Sequence, residues 1–359
     1  MYKFIFVGPL PSPITGQSIA FKYLCDNFEQ NKLIFDYSSD NQSIVGLLWL
    51  NLKFVISYIA NMVFYRKTLT TLYLTTSRSL FGFFRDAIII LFASLLGVRV
   101  INHLHGADFL NFRCRYKWLK PIIDYVYSLI DTSIVLTLRM KEQYSIYEKM
   151  NIFVVPNFYD FGNVSFSVSN KINGPLKVAY LSNLMPTKGI FHLVSAVKEL
   201  NAEGYEVTLN IAGSIMGDTT ATKSEVTKMV DSQINDVSCI NYVGTVNGKN
   251  KLDFLLNSNV FCLPSFYLTE GQPISIIEAM ACGLYIITTK HNYLDELVSK
   301  NEGSLIDIQS IKQIKSSLLF LIQNPKVLEE TAIHNQRHAK SEFSLETYIN
   351  SLTEIIMRN

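Results

Sequence analysis

Two glutamates give the strongest indication of chemistry in this chain. Seven residues separate them in the run Glu270-Gly-Gln-Pro-Ile-Ser-Ile-Ile-Glu278-Ala-Met-Ala-Cys-Gly283. Pro273 suits the first position of a helix and Gly283 the residue just after its end, so the spacing predicts a helix over 273–282. Its first turn offers N–H groups to a diphosphate, while Glu278 and Glu270 can accept hydrogen bonds from a ribose and a sugar. The run is equally compatible with two solvated surface glutamates.

Apolar runs on both sides of this helix indicate where it lies in the fold. Residues 259–263 precede Pro264, and residues 284–289 follow the helix. Strand, loop, helix and strand in this order predict a parallel βαβ unit, whose ligands bind outside the carboxyl ends of the strands. The segment 259–296 resembles the donor-binding signature of glycosyltransferase family 4. That resemblance implies a retaining enzyme with the α/β GT-B fold, in which two Rossmann-like doubly wound domains face each other across a cleft.

Composition agrees with an intracellular two-domain protein that does not bind nucleic acid. The 359 residues are long for a single core, and 32 Lys and Arg nearly balance 30 Asp and Glu. The five cysteines lack paired spacing, which is typical of reduced core thiols in a cytosolic protein. The six histidines are scattered, so we expect neither a metal site nor a cofactor.

Strand-like apolar runs alternate with helix-length segments in two sets. The first set is 3–8, 33–37, 70–75, 98–102, 132–136 and 152–155, and the second is 176–182, 207–212, 240–243, 260–263 and 284–289. This pattern predicts an N-terminal domain over 1–160, a linker over 161–175 and a C-terminal nucleotide-sugar-binding domain over 176–342. The amphipathic stretch 343–357 predicts a last helix, and the resemblance implies that residues 343–359 return to the first domain.

The N-terminal half contains the only stretch long enough to raise the question of a membrane. Residues 2–7 are strand-like and precede a proline-rich loop, which is unlike a secretory signal. The nearly apolar stretch 44–65 contains Lys53, and a lysine in mid-bilayer costs roughly 3 kcal/mol, which disfavours a span. We expect instead a long helix against the N-terminal sheet, in peripheral contact with a membrane. The aromatic and basic residues of 112–120 fit either a lipid patch or one face of a solvated helix.

Four loops that follow predicted strands supply further candidates. His105, in His-Leu-His-Gly-Ala-Asp, matches the His-Gly-type motif whose histidine faces the donor sugar in the family. Gly16 matches the glycine of a loop near the donor phosphates, and Lys188 the lysine that pairs with the diphosphate. A structural histidine, a connecting loop and a surface lysine are the plain alternatives.

Two loops of the second half complete this set. Asn183 occupies the position where the family usually has a second phosphate-binding arginine, and asparagine supplies no charge. Gly213 and Val243 match regions that edge the pocket for the base, although tight turns between parallel strands explain them almost as well.

The resemblance therefore implies transfer of a sugar, with retention, from a nucleoside diphosphate sugar. Glu270, Lys188 and His105 take the catalytic roles. The donor contacts Glu278, Gly16, Asn183, Gly213 and Val243 together with Gly271, Gln272, Pro273 and Ile274. The expected acceptor is a lipid-linked O-antigen or capsule repeat unit at the cytoplasmic face of the membrane. A nucleotide-sugar epimerase of the same fold, or a non-catalytic binding subunit explained by Asn183, remains open.

Overall fold

The computed structural model describes residues 2–11, 14–38, 44–161 and 174–358, without the side chains of residues 44, 45, 47 and 48. It divides into two compact units: Met1–Asn157 with Glu346–Asn359, and Phe158–Leu345. Residues 162–173, which make up most of the predicted linker over 161–175, lie outside the described part, as do residues 12 and 13 of the proline-rich loop.

The first unit is built on a parallel six-stranded sheet. Its strands are β1 (Phe4–Gly8), β2 (Lys32–Asp36), β3 (Thr71–Leu74), β4 (Arg99–His103), β5 (Thr132–Val135) and β6 (Asn151–Val154). The connecting helices are α1 (Gly16–Asn27), α2 (Ile44–Phe64), α3 (Leu80–Leu95), α4 (Phe109–Arg115) and α5 (Lys120–Ser128). The strand order is β2-β1-β3-β4-β5-β6. Every residue of β1, β3 and β5 is buried, as continuous apolar runs in parallel sheets require.

The second unit repeats the plan with a different strand order. Its strands are β7 (Leu176–Leu181), β8 (Val207–Ala212), β9 (Ile240–Tyr242), β10 (Val260–Leu263), β11 (Tyr285–Thr289) and β12 (Gly303–Ile306). Its helices are α6 (Ile190–Ala202), α7 (Lys223–Gln233), α8 (Gly248–Leu256), α9 (Ile274–Ala281), α10 (Leu294–Leu297), α11 (Ile311–Gln323) and α12 (Lys326–Glu342). The order β12-β11-β10-β7-β8-β9 reverses direction between β7 and β10. Ligands of open parallel sheets bind at such a switch point, outside the carboxyl ends of the strands.

The core of the second unit lies between its sheet and the apolar faces of α6, α9 and α11. A last helix, α13 (Leu345–Met357), ends the chain and groups with the first unit from Glu346 onward. There Tyr348 donates a hydrogen bond from its hydroxyl to the carbonyl of Ala20 in α1, at 3.5 Å.

The direction in which each connection crosses the sheet decides on which face of the first sheet its helix lies. The connections β2 to β3, β3 to β4 and β4 to β5 all run the same way across the sheet, and such crossovers are right-handed. Helices α2, α3 and α5 therefore share one face, where α3 contacts both of the others. The hydroxyl of Tyr58 in α2 donates to the carbonyl of Ile89 in α3 at 3.1 Å. Among the described residues, the structure shows no helix with the length and apolarity needed to cross a membrane.

The predicted doubly wound architecture is confirmed, and eleven of the twelve strands in the described part of the chain coincide with the predicted runs within one or two residues. Strand β12 was not predicted, because Gly303 and Ser304 interrupt its apolar character and two of its four residues are only partly buried. The helix predicted over 273–282 is α9, which begins at Ile274. Pro273 is its N-cap, with ψ near 121°, and not its first helical residue.

A cluster of polar side chains attaches α12 to the sheet near the start of β12. Asn335 donates from Nδ2 to the carbonyls of Leu284 and Glu302, at 2.7 and 3.0 Å. The Glu302 carboxylate accepts from Nε2 of His334 at 2.6 Å and from Nδ1 of His338 at 3.1 Å. Burial raises the pKa of Glu302, but hydrogen bonds from His338, Ser299 and His334 outweigh it and lower the pKa below its ordinary 4.5. The hydrogen bond to Glu302 raises the pKa of His338 above 6.5.

Glu302, His334 and His338 also have the donor types of a metal site, and their candidate ligand atoms lie within 4.8 Å of one another. The histidines that look scattered in the sequence are thus partly gathered, with His334 and His338 one helical turn apart. The 2.6 Å between Glu302 Oε1 and His334 Nε2 is a hydrogen-bond distance. Two ligands around a tetrahedral zinc lie roughly 3.3 Å apart, given bonds of about 2.0 Å. The geometry is therefore that of a hydrogen-bonded attachment.

We predict that the cluster stabilises the protein most between pH 4.5 and 6.5. The lowered pKa of Glu302 gives stability that is present above 4.5 and lost as pH falls through the folded value. The raised pKa of His338 gives stability that is present below 6.5 and lost as pH rises through the folded value. Glu302→Gln should therefore lower the free energy of unfolding most inside this window, as measured by urea unfolding at several pH values. Glu329→Gln, an exposed change on α12, is the control. A destabilisation by Glu302→Gln that is flat with pH would contradict the assignment.

Candidate functional site

Two loops meet at the switch point of the second unit because one glycine lacks a side chain. Gly189 ends the short 3-10 turn Pro186–Lys188 with φ at +79°, a conformation that other residues rarely adopt. A Cβ there would lie 2.1 Å from the carbonyl oxygen of Pro264, just after β10. The backbone N–H of Phe266 donates to the carbonyl of Thr187 at 2.8 Å. The loops after β7 and β10 are therefore held against each other.

This approach brings Lys188 and Glu270 into a nearly buried ion pair. Lys188 Nζ lies 2.6 Å from Glu270 Oε2, and the side chains are only 13% and 8% exposed. Ser265 donates from Oγ to the same oxygen at 2.7 Å, and the ammonium lies 4.7 Å from the centre of the Tyr267 ring. The two residues that the sequence singles out for catalysis in this unit are thus side by side. Each is the other's counter-ion, which the sequence did not indicate.

The loop that carries Glu270 is fixed from the next strand of the sheet. Asn292, which follows β11, donates from Nδ2 to the backbone carbonyls of Leu268 and Glu270, at 3.0 and 3.1 Å. Thr289, at the end of β11, donates from its hydroxyl to the carbonyl of Ser265. The position of the Glu270 carboxylate is therefore determined by the loops that follow three neighbouring strands of the sheet, β7, β10 and β11.

The predicted donor residues after Glu270 lead directly into α9. Gly271 and Gln272 are buried, and Pro273 and Ile274 are partly buried at the start of the helix. Because Pro273 is the N-cap, the N–H groups of the first turn of α9 begin at Ile274. This is where the sequence predicts a diphosphate, and helix N-termini favour anions.

Glu278 is buried in α9 and forms an ion pair with Lys251 of α8. Burial raises the pKa of Glu278 above its ordinary 4.5, the Lys251 ammonium opposes this rise, and Asp160 adds to it. Lys251 also lies 5.6 Å from the centre of the Phe161 ring. A lone buried carboxylate tends to take up a proton, so Lys251 is what favours the charged form of Glu278. Lys251 stands in an ordinary helix, and nothing in the sequence marks it.

Gly213 and Asn183 have backbone roles in this unit. Gly213 has φ at +148°, and a Cβ there would lie 1.9 Å from the carbonyl oxygen of Ser182. Its N–H donates to the carbonyl of Gly244 at 2.7 Å, which ties the ends of β8 and β9. The carbonyl of Asn183 accepts from the Tyr180 hydroxyl at 3.0 Å, and its side chain is partly buried. Val243, next to Gly244, is 44% exposed, so its apolar side chain is available at this edge of the sheet.

Asp218 is a further residue that holds the loop containing Lys188. Its Oδ2 accepts from the backbone N–H of Thr187 at 2.8 Å and from the Thr187 hydroxyl at 2.7 Å. Burial raises the pKa of Asp218, but hydrogen bonds from Thr187 and Thr220 outweigh it, and the pKa falls below its ordinary 3.8. The residue before Lys188 is therefore held by an ionised carboxylate 31 positions away.

In the first unit, His105 follows β4 with both ring nitrogens buried. Within the described residues neither nitrogen has a hydrogen-bond partner. The His103 ring stacks near it, with centres 4.1 Å apart, and accepts or donates through Nδ1 to the Tyr73 hydroxyl at 2.6 Å. Burial, with the nearby Arg78 guanidinium, lowers the pKa of His105 to about 3. His105 is therefore a neutral imidazole at physiological pH, able to donate and accept hydrogen bonds but not to act as an imidazolium acid.

Arg78 is the cation beside this histidine, and the sequence did not indicate it. It forms an ion pair with Asp108 and lies over Gly106, where a Cβ would be 2.5 Å from a guanidinium nitrogen. A side chain at position 106 would therefore displace the end of the Arg78 side chain. Asp108, the last residue of the His-Leu-His-Gly-Ala-Asp motif, is the counter-ion of Arg78.

Gly16 is the first residue of α1, and Thr15 is the N-cap, with a capping box that includes Ser18. The neighbouring Gln17 donates from Nε2 to the Tyr37 hydroxyl at 3.2 Å, which fixes the start of the helix against β2. Gly16 therefore lies at the capped N-terminus of α1, at the carboxyl edge of the first sheet.

Comparison with known proteins gives a family match within the second unit and a fold for the chain. Residues 163–338 match the family described as Glycosyl transferases group 1. The chain is 24% identical over 199 residues to the amylovoran biosynthesis glycosyltransferase AmsK of Erwinia amylovora, covering 54% of this chain and 47% of AmsK. It is 28% identical over 175 residues to the capsular polysaccharide biosynthesis glycosyltransferase CapM of Staphylococcus aureus, covering 48% and 43%. The chain thus matches less than half the length of either relative.

The full length of the chain is similar to a solved structure. The crystal structure of Anabaena Alr3699/HepE in complex with UDP-glucose has a TM-score of 0.73 at 14% identity, covering 99% of both chains. At this identity the similarity defines the fold alone. The protein therefore has the GT-B fold. Its second unit carries a Glycosyl transferases group 1 domain.

We predict that Lys251→Met destabilises the protein by roughly 1–3 kcal/mol at pH 8, because it leaves a buried carboxylate without its cation. The loss should shrink toward pH 5, because the pKa of Glu278, already raised by burial, rises further and the acid folds in its neutral form. Denaturant unfolding at the two pH values measures this. Lys249→Met removes an exposed lysine from the same helix and should have little effect. Equal losses for Lys251→Met at both pH values would argue against the pair.

We predict that Arg78→Gln raises the pKa of His105, because a nearby positive charge is lost, while burial still keeps that pKa below 6.5. The imidazole signals of His105 in an NMR titration report the change. Arg115→Gln, which removes an exposed arginine of the same unit, should leave the signals as in the wild type. An unchanged His105 titration in Arg78→Gln would show that the guanidinium is not what acts on the ring.

Proposed function

We propose that this protein is a retaining glycosyltransferase that moves a sugar from a nucleoside diphosphate sugar to a glycan acceptor. The observation that carries the proposal is the Lys188–Glu270 pair, at the switch point of the second sheet, since open parallel sheets generally bind ligands at such a point. A cation for a diphosphate and a carboxylate for sugar hydroxyls are what such a donor needs. Glu278 lies eight residues further along the chain, just over one turn into α9, where it would accept hydrogen bonds from the ribose.

The comparisons support a nucleotide sugar and a polysaccharide product. HepE was crystallised with UDP-glucose, and AmsK and CapM are named for amylovoran and capsular polysaccharide biosynthesis. We propose a lipid-linked O-antigen or capsule repeat unit as the acceptor, at the cytoplasmic face of the cell membrane. A hexose or an N-acetylhexosamine is the proposed transferred sugar.

In the proposed reaction the acceptor hydroxyl attacks the anomeric carbon from the face that the diphosphate leaves. The bond from that carbon to the phosphate oxygen breaks, the bond to the acceptor oxygen forms, and the proton passes to the leaving diphosphate. Lys188 and the first-turn N–H groups of α9 stabilise the negative charge that develops on the diphosphate. Asn183 and Gly16 would donate further hydrogen bonds, and neutral His105 would contact the transferred sugar. No metal ion is needed in this scheme, because Lys188 supplies the charge.

A panel of nucleotide sugars, incubated with the purified protein with and without lipid-linked acceptor, tests the proposal. Acceptor-dependent release of nucleoside diphosphate, with the anomeric configuration kept in the product, is the expected result, and it should persist in excess chelator. Isomerised donor without transfer would show an epimerase. Saturable binding with neither reaction would show a non-catalytic subunit. A rate that chelator removes and added Mg²⁺ or Mn²⁺ restores would refute the metal-free scheme.

We predict that Glu278→Ala weakens donor binding by about tenfold or more, because a charged hydrogen bond to the ribose is worth about 1.5–3 kcal/mol. Isothermal titration with the preferred nucleotide sugar measures the affinity. Glu330→Ala removes an exposed glutamate of the same unit and should bind as the wild type does. Unchanged donor affinity in Glu278→Ala would remove this residue from the donor site.

A further inference from the structure

We infer that helices α2, α3 and α5 of the first unit form a single surface that binds an anionic lipid bilayer. Along α2 the outward positions Trp49, Leu52, Ile56 and Val63 are exposed, at the spacing of one helix face. On the opposite side of the same helix Tyr58 and Met62 are completely buried. The helix therefore lies on the unit with one apolar side covered and the other uncovered.

The neighbouring helix α3 repeats this arrangement. Its exposed positions Phe81, Phe84, Ile88 and Leu95 are all large and apolar, and Phe81 and Leu95 are 66% and 80% exposed. The only charged residues of α3, Arg85 and Asp86, pair with each other on its buried side. Exposed single apolar residues are common, but a face without a polar outward position at these spacings is not.

Helix α5 extends the surface at its other edge. Trp118, just before it, and Ile122 and Tyr125 within it are 68%, 48% and 60% exposed. Since α2, α3 and α5 lie on the same face of the sheet and α3 contacts both others, we place their exposed apolar residues in one patch on that side of the unit. We call this patch the apolar face.

Charge identifies a bilayer as the occupant. Lys53 lies on α2 with its ammonium 5.6 Å from the centre of the Trp49 ring, and Arg66 and Lys67 follow the end of that helix. Arg115 and Lys117 are exposed beside Trp118. The one acid of α5, Asp124, is paired with both Arg113 and Lys120. An apolar surface with a basic rim suits anionic headgroups around acyl chains, whereas a second copy of this chain would bring like charges together.

This inference extends the proposed function, because a lipid-linked acceptor would be met at such a surface. Vesicle binding is measured without any sugar donor. A failure of the apolar face and a failure of the proposed transfer are therefore distinguishable.

Flotation of the full chain with vesicles tests the apolar face. Vesicles of phosphatidylcholine with about one third phosphatidylglycerol should carry the wild type, and vesicles of phosphatidylcholine alone should carry much less. The variant Ile56→Ser with Phe81→Ser should reduce the partition coefficient by about tenfold or more, because two apolar anchors are lost. The matched control Phe320→Ser with Ile333→Ser changes exposed apolar residues of α11 and α12 and should float as the wild type does.

A second variant guards against misfolding of the first. Lys53→Gln with Lys117→Gln keeps every apolar residue and should weaken binding to the anionic vesicles while leaving circular dichroism unchanged. Absence of wild-type binding to anionic vesicles would overturn the inference. So would light scattering that shows a dimer of the wild type that Ile56→Ser with Phe81→Ser dissociates, because the apolar face would then be covered by a second copy.

Discussion

The close approach of two loops at Gly189 is the constraint on which the candidate site depends. Only glycine fits at position 189. Its φ is +79°, and a Cβ there would lie 2.1 Å from the carbonyl oxygen of Pro264. The backbone hydrogen bond from Phe266 to Thr187 then fixes the register of the loops. The sheet order reverses between β7 and β10. The contact between the loops that follow these strands therefore places Lys188 and Glu270 side by side at the switch point.

The two units place charge differently. In the second unit the candidate carboxylates Glu270 and Glu278 each form an ion pair with a lysine. In the first unit His105 is neutral, because burial and a guanidinium both oppose its protonation. The ion pairs of the second unit suit recognition of an ionic ligand, and the neutral His105 of the first unit suits recognition of hydroxyls. The proposed reaction requires both.

Much of the fold could be predicted from the sequence, because strands buried on both faces are continuous apolar runs bounded by turn residues. The edge strand β12 could not, since its glycine and serine resemble a loop. Glu270, Glu278, Lys188 and His105 could be proposed from local motifs. Their partners could not: Lys251 is 27 residues from Glu278 in the sequence, and Arg78 reaches its counter-ion Asp108 only after the next strand. Such pairs are set by tertiary packing, and no local pattern of residue types records them.

The reciprocal pairing of Lys188 and Glu270 has a consequence for the two sides of the proposed reaction. A diphosphate that attracts the lysine would leave the Glu270 carboxylate with Ser265 as a hydrogen-bond donor but without its cation, and the hydroxyls of a donor sugar would supply further hydrogen bonds. The spent nucleoside diphosphate lacks the hydroxyls of the transferred sugar, so in the proposed reaction it would compete with Glu270 for Lys188 without giving that carboxylate new hydrogen bonds. Under the proposed function, the ion pair would therefore weaken product binding and limit product inhibition.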